Sequence, residues 1–328
     1  MKIKTACLLP LLIGVLCLLT GCSPIIQVLH EMLQTDKLQE LYADENYEEA
    51  LVYINEEISK NPNQSWAYSD KGFILIEMQQ YEEALPVIDK AIELDPNNEI
   101  ALANKSFALN YLTQYEDALE YSQKALELNS NDPQNFINQG DAFLGLGECE
   151  KALESYEEAI AISDQYPFAF YGRGASHYCL GQYYSASKDF EYFIEVEHPN
   201  SGMAYWYLGD SYYFQDRYDE ALNYYYESIE IEPEDEWVYY DIAHTEMMIG
   251  NINQAIDIYE KMKEMFPQSE AEIYYRMSLT YATAFDHHKA IQFLSKAIDI
   301  DSSYKDFARN DPVFFDMENI EEFQNLIQ

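Results

Sequence analysis

Small and apolar residues return along this chain with a period of about 34. Ala50, Ala84, Ala118, Ala152, Ala186, Ala221, Ala255 and Ala290 stand 34, 34, 34, 34, 35, 34 and 35 residues apart. An aliphatic residue follows the alanine in seven of the eight units. A tyrosine lies three residues before it in five, at Tyr47, Tyr81, Tyr115, Tyr183 and Tyr218. Twelve residues before it come Gly72, Ser106, Gly140, Gly174, Gly209, Ala243 and Ser278, and seven after it come Ala91, Ala125, Ala159, Ser228 and Ala297. Between these markers apolar residues keep helical spacing. In the second unit the pattern predicts one helix from Trp66 to Met78, a break at Gln79-Gln80, a second helix from Tyr81 to Leu94, and a stop at Pro96-Asn97-Asn98. The small residues fall where two such helices cross. A fixed period of this length predicts an all-α solenoid, in which no unit buries its apolar face alone and stacking supplies the core.

These residues resemble the tetratricopeptide repeat, whose pattern sets a small residue at the eighth position, an aromatic at the seventeenth, alanine at the twentieth, a small residue at the twenty-seventh and proline at the thirty-second. The resemblance implies a right-handed superhelix of about eight helix-turn-helix repeats, at 31–64, 65–98, 99–132, 133–166, 167–200, 202–235, 236–269 and 271–304. The extra residues near 201 and 270 should change the stacking locally. The terminal units depart most from the pattern, with Leu38 and Glu57 in place of small residues and His287 in place of the aromatic. Residues 305–328 read as a C-terminal cap, with Phe307, Phe314, Phe323, Leu326 and Ile327 expected to cover the last hairpin.

The first 21 residues have a different character. Lys2 and Lys4 precede an uncharged run from Ala6 to Leu19, which is too short to span a bilayer and suits the apolar region of a secretory signal. The run ends in Leu19-Thr20-Gly21-Cys22, which resembles the lipobox of bacterial lipoproteins. That resemblance implies a signal peptide at 1–21, cleavage before Cys22, a lipid on its sulfur and a short tether at 22–30. The expected place is the cell envelope, on either the outer face of the cytoplasmic membrane or the outer membrane.

The net charge of −40 over 328 residues would mark a disordered acidic tail, were it not for 48% hydrophobic residues and 30 tyrosines, which supply a core. So acidic a chain repels phosphate backbones, which argues against nucleic acid as a partner. It also repels anionic headgroups, so membrane attachment calls for the lipid. Cys149 and Cys179 are the cysteines left after Cys7, Cys17 and Cys22. They read as two small apolar packing residues, a single bridge being the alternative.

No catalytic constellation, metal set or cofactor motif emerges. Asp286-His287-His288 lacks a fourth ligand and puts its histidines on different helix faces. The candidate site is instead the concave wall, which in the family is lined by the first helix of each hairpin at its second, fifth, ninth, twelfth and thirteenth positions. In the early repeats these include Trp66, Phe73, Phe107 and Tyr111. In the middle and late ones they include Phe168, Tyr171, Tyr178, Met203, Trp206, Asp210, Tyr213, Phe214, Trp237, Tyr240, His244, Met247 and Met248. The expected protein is a non-catalytic scaffold whose groove holds hydrophobic or aromatic protein segments with basic flanks. A cell-wall glycan stacked on the same aromatics is the alternative.

Overall fold

A computed structural model describes residues 37–196 and 200–328. The signal, Cys22, the tether and the opening of the first repeat lie outside the described residues. Among the described residues the chain is all helix with no strand. After helical residues 37–43 come α1 (Tyr47–Lys60), α2 (Ser65–Glu77), α3 (Tyr81–Leu94), α4 (Glu99–Tyr111) and α5 (Tyr115–Leu128). These form one compact unit, ending at Asn131. A second unit begins at Asp132. It holds α6 (Pro133–Gly145), α7 (Cys149–Ile162), α8 (Pro167–Cys179), α9 (Tyr183–Val196), α10 (Gly202–Tyr213), α11 (Tyr218–Ile231), α12 (Glu236–Met248), α13 (Ile252–Met265), α14 (Glu270–Thr283) and α15 (His287–Ile300). Three short closing elements follow: α16 (Tyr304–Asn310), a 3-10 turn (Pro312–Met317) and α17 (Glu321–Ile327).

Each hairpin closes on its alanine. All eight recurring alanines are fully buried, which leaves no room for a larger side chain at the crossing. The opposing small residue has the same cause. A Cβ on Gly72 would sit 2.3 Å from Ile88, and one on Gly209 would sit 2.7 Å from the Tyr225 ring. Where serine replaces glycine, its hydroxyl is absorbed by the partner helix: Ser106 Oγ donates to the Ala118 carbonyl at 2.8 Å. Tyr156 is held from both sides. Its ring fills the space left by Gly140 and Gly172, so added Cβ atoms would lie 2.8 and 2.2 Å away, and its hydroxyl donates to Asp141 at 2.5 Å.

The turn inside each hairpin carries one residue in the left-handed region, at Glu45, Gln79, Thr113, Gly147, Gly181, Asp216, Gly250 and Phe285. Glycine supplies only three of the eight. In the others the backbone bonds that close the turn, such as Gln80 N–H to the Leu75 carbonyl at 2.8 Å, impose the conformation on residues that adopt it reluctantly. The additional residue at 270 is accommodated by a 3-10 turn over Pro267–Ser269 and one extra helical residue at the start of α14.

Two expectations need correction. Cys149 and Cys179 are not separate packing residues but a disulfide, joining the start of α7 to the end of α8 with 6.2 Å between Cα atoms. The register explains the pairing. The same two positions, the start of one repeat's second helix and the end of the next repeat's first, carry Tyr81 stacked on Tyr111 at 4.6 Å and Tyr183 stacked on Phe214 at 4.5 Å. A covalent bond stands in the fourth repeat where stacked rings stand elsewhere. In the C-terminal cap Phe314 and Phe323 are buried against Leu294 and Ala297, with Leu326 and Ile327 partly covered. Phe307 instead stays 58% exposed, meeting the Tyr275 and Tyr304 rings at a tilt, 6.3 and 5.6 Å between centroids.

The bridge closes a chain segment of 30 residues, which corresponds to about 3–4 kcal/mol of lost unfolded-state entropy. The double variant Cys149→Ala/Cys179→Ala should therefore unfold at lower urea than the oxidised wild type, and reduced wild type should move to the same lower midpoint. Equal midpoints for oxidised and reduced protein would contradict the bridge.

Candidate protein-binding face

The expected groove residues divide between the two units. In the first, Trp66 packs partly buried on the cluster around Leu38 and Ile54, and Phe73 meets the Tyr42 ring edge-on at 5.2 Å. Phe107 lies against the Leu75–Ile88 cluster and 4.8 Å from Tyr111. Only Tyr111 of the four is well exposed. Three of these aromatics therefore have packing roles, and the open apolar side chains at lining positions of this unit are Ile100 and Tyr111, both on α4.

In the second unit α8, α10 and α12 bring the remaining residues together. Tyr171 is drawn inward, 5.6 Å from Phe190, and Tyr240 is 7% exposed with its hydroxyl on Glu236 at 3.1 Å. Tyr178 packs edge-on to Tyr207 at 5.2 Å. Trp206 turns its indole N–H onto Asp241 at 2.7 Å. These side chains build the floor. Outside them the surface stays apolar and open. At the second position of the three helices Phe168, Met203 and Trp237 are 56, 55 and 70% exposed. Phe214 and Met248, at the thirteenth position, are 49 and 47% exposed. Eleven residues of helix separate the two rows, about 16 Å at 1.5 Å per residue. Tyr213 and His244 lie between them, bonded through the hydroxyl and Nδ1 at 3.2 Å.

The floor is acidic. Asp210 accepts from the Tyr225 hydroxyl at 2.9 Å and from Tyr178. Asp241 accepts from Trp206. Burial raises the Asp210 carboxyl against the pull of both tyrosines. Burial likewise pushes Asp241 up to about 6, with the Trp206 N–H opposing the shift and the charge on Asp210 adding to it. Asp141 on α6 is also pushed up to about 6 by burial, against its bond from Tyr156. His244 is lowered by burial and by Arg276. Asp241, Tyr156 and Tyr225 were missed from sequence, yet a signal for the two tyrosines existed. Asp141 and Asp210 occupy the ninth position of two of the three repeats whose second helix carries a tyrosine 15 residues later, Tyr156 and Tyr225; in the third, Tyr259 follows His244. The Asp286-His287 segment has a local duty, since Asp286 caps α15 by accepting from the Lys289 N–H at 3.2 Å. Among the described residues no group of three or more His, Cys, Asp or Glu is placed to hold a metal ion.

Sequence models of the tetratricopeptide repeat match residues 41–105, 140–181, 171–236, 215–276 and 271–304. The chain carries tetratricopeptide repeats. Among solved structures, this repeat protein is similar to a chain of the APC/C hetero-tetramer Cut9–Hcn1, at 14% identity and a TM-score of 0.59, over 90% of this chain and 55% of the other. It is also similar to the human IFIT1 dimer, at 18% identity and a TM-score of 0.53, over 84% of this chain and 71% of that one. At these identities the likeness concerns the fold alone. YrrB, described as a TPR protein with an unusual peptide-binding site, shares 26% identity over 56% of this chain and 94% of its own, with a TM-score of 0.49. No curated protein matches the sequence.

The raised carboxyls give the face a pH signature. A carboxyl whose folded value lies above its unfolded value near 3.8 stabilises the fold while protonated. That contribution is complete below the unfolded value and is lost as pH rises through about 6. Stability of the second unit should thus fall between about pH 4 and 6, and Asp241→Asn should flatten part of the fall. In a Trp66→Phe/Trp237→Phe background, emission from Trp206 should titrate with a midpoint near 6 and lose that step in Asp241→Asn. A flat emission profile from pH 4 to 7.5 in the parent would contradict the burial of Asp241.

Proposed function

We propose that this chain is a non-catalytic scaffold, lipid-anchored in a bacterial cell envelope. In this reading it holds segments of envelope or secreted proteins on the aromatic face of α8, α10 and α12. The observation that carries the reading is the pair of open apolar rows in the second unit. Five large apolar side chains about half exposed or more, on one face of a folded stack, are a cost in water unless a partner covers them. The repeat fold supports a protein as that partner, since such stacks present helix faces suited to extended or helical segments. The acid excess favours segments with basic flanks.

Export is supported by two independent features, the Leu19-Thr20-Gly21-Cys22 sequence and the Cys149–Cys179 bridge, because structural disulfides persist in oxidising compartments. Among the described residues no helix is long and apolar enough to cross a membrane, so the anchor in this proposal is the lipid on Cys22. Ser23 beside it is compatible with sorting to an outer membrane. A glycan in the same place is less well supported. Sugar stacking needs free ring faces, and Tyr171, Tyr178 and Trp206 have theirs against neighbouring rings, which leaves Trp237 as the one strongly exposed indole.

Two experiments bear on this reading. Cys22→Ala should release a folded, helical protein into the soluble fraction, whereas retention on membranes after high-salt washing would contradict the anchor. Trp237→Ala, at a position that contributes little to the core, should leave helicity unchanged and lower capture of discrete envelope proteins after crosslinking at least severalfold. Unchanged capture, or capture competed by purified cell-wall oligosaccharide, would contradict protein binding at this face.

A further inference from the structure

Charges withdrawn from water are normally paired with a counter-charge, because an unpaired buried ion is costly. In the second unit Asp189 follows this rule, and three buried aspartates do not. Asp189, on α9, takes two guanidinium nitrogens of Arg173 at 2.8 and 2.6 Å. Asp141, on α6 outside the open rows, is held by the Tyr156 hydroxyl; Asp210 and Asp241 break the rule between those rows. They are held by three neutral donors, the hydroxyls of Tyr178 and Tyr225 and the indole of Trp206, and among the described residues neither has a lysine or arginine nitrogen within 4 Å. Arg276, the cation that acts on Asp241 from α14, is bonded to Glu272 at 2.6 Å. The two carboxylates lie at the ninth position of α10 and the sixth of α12, so both fall between the two open apolar rows. Each is about 6 Å along the helix from one row and about 10 Å from the other.

We propose that the segment bound by this face carries a central arginine or lysine. Its cationic group enters between Asp210 and Asp241, while apolar side chains before and after it lie on Phe168, Met203 and Trp237 at one end and on Phe214 and Met248 at the other. The inference rests on the docking reading above and specifies its partner: the cation sits within the bound segment, not only at its flanks. Charge complementarity selects the residue type, and the surrounding rings favour guanidinium, which stacks on aromatic faces as well as pairing with carboxylates. The spacing sets the register. An extended chain rises about 3.3 Å per residue, so about five residues join the two rows and the cation falls two or three residues from each apolar neighbour.

The test is selection of a random 12-residue peptide library displayed on phage against the full chain without its signal. Wild type, Asp210→Asn/Asp241→Asn, Asp241→Asn alone and Trp237→Ala are compared at low and at 0.5 M salt. Wild type should enrich peptides with an arginine or lysine flanked by apolar residues two or three positions away. Synthetic versions should bind at least tenfold more tightly than the same peptides with glutamine in place of the cation. The aspartate variants, with circular dichroism unchanged, should keep apolar binders and lose the preference for the cation, while Trp237→Ala should weaken binding with or without it. If the double variant does not fold, Asp241→Asn alone should lower the preference. Enriched apolar peptides without a cation preference, or a preference untouched in the aspartate variants, would overturn the inference and leave the docking reading standing. No enrichment by wild type over Trp237→Ala would overturn both.

Discussion

The structure depends on how closely two helices of one hairpin approach. Alanine at the crossing, buried to the last square ångström in all eight hairpins, fixes that separation, and the glycine or serine opposite accommodates whatever the second helix sends across. Once the crossing is closed, each hairpin still has an apolar flank that only its neighbour can cover. The stack follows from that need, and so does its cap. At the C-terminal end Phe314, Met317 and Phe323 replace the neighbour that a ninth hairpin would have been. The side chains facing away from both crossing and neighbour are released from packing, and these carry the proposed binding face.

This division explains what could be read from the sequence. The period of 34 survives in every repeat at the tightest site, the crossing alanine, while the site opposite admits glycine, serine or alanine in seven of the eight. The hairpins were legible for that reason, as was the outer position of Phe168, Met203 and Trp237. The inner positions were not. Tyr171, Tyr178, Trp206 and Tyr240 were read with the exposed residues as one lining face, but they stand about 60–80° round the helix from the second position, which turns rings such as Tyr171 and Tyr178 toward Phe190 and Tyr207. The hairpin turns were legible by glycine only at Gly147, Gly181 and Gly250, because elsewhere the closing hydrogen bonds hold the left-handed conformation on Glu, Gln, Thr, Asp or Phe.

The disulfide and the acidic floor were hidden for related reasons. Two cysteines 30 residues apart say nothing of proximity until the register between adjacent repeats is known, and the stacked Tyr81 and Tyr111 show that this register brings such residues together. Asp210 was legible by its lining position, but its burial was not, and Asp141 and Asp241 sit among 59 acids from which composition alone does not separate them. Their distinction is the burial that raises them and the tyrosine or tryptophan that holds them. An acidic protein thus keeps most of its charge on water-facing helix surfaces and a little of it beneath an aromatic surface, where it gains strength from the lower dielectric.

The central claim is that the open face of α8, α10 and α12 is where partners are held. A photo-crosslinking residue placed at 168, 203 or 237 in the full-length protein, in cells of its own source, addresses it most directly, with position 226 on α11 as the exposed control outside these helices. The account predicts discrete protein adducts from the first three positions and none of the same size from 226. Adducts equal at all four positions, or adducts formed only from 226, would contradict it.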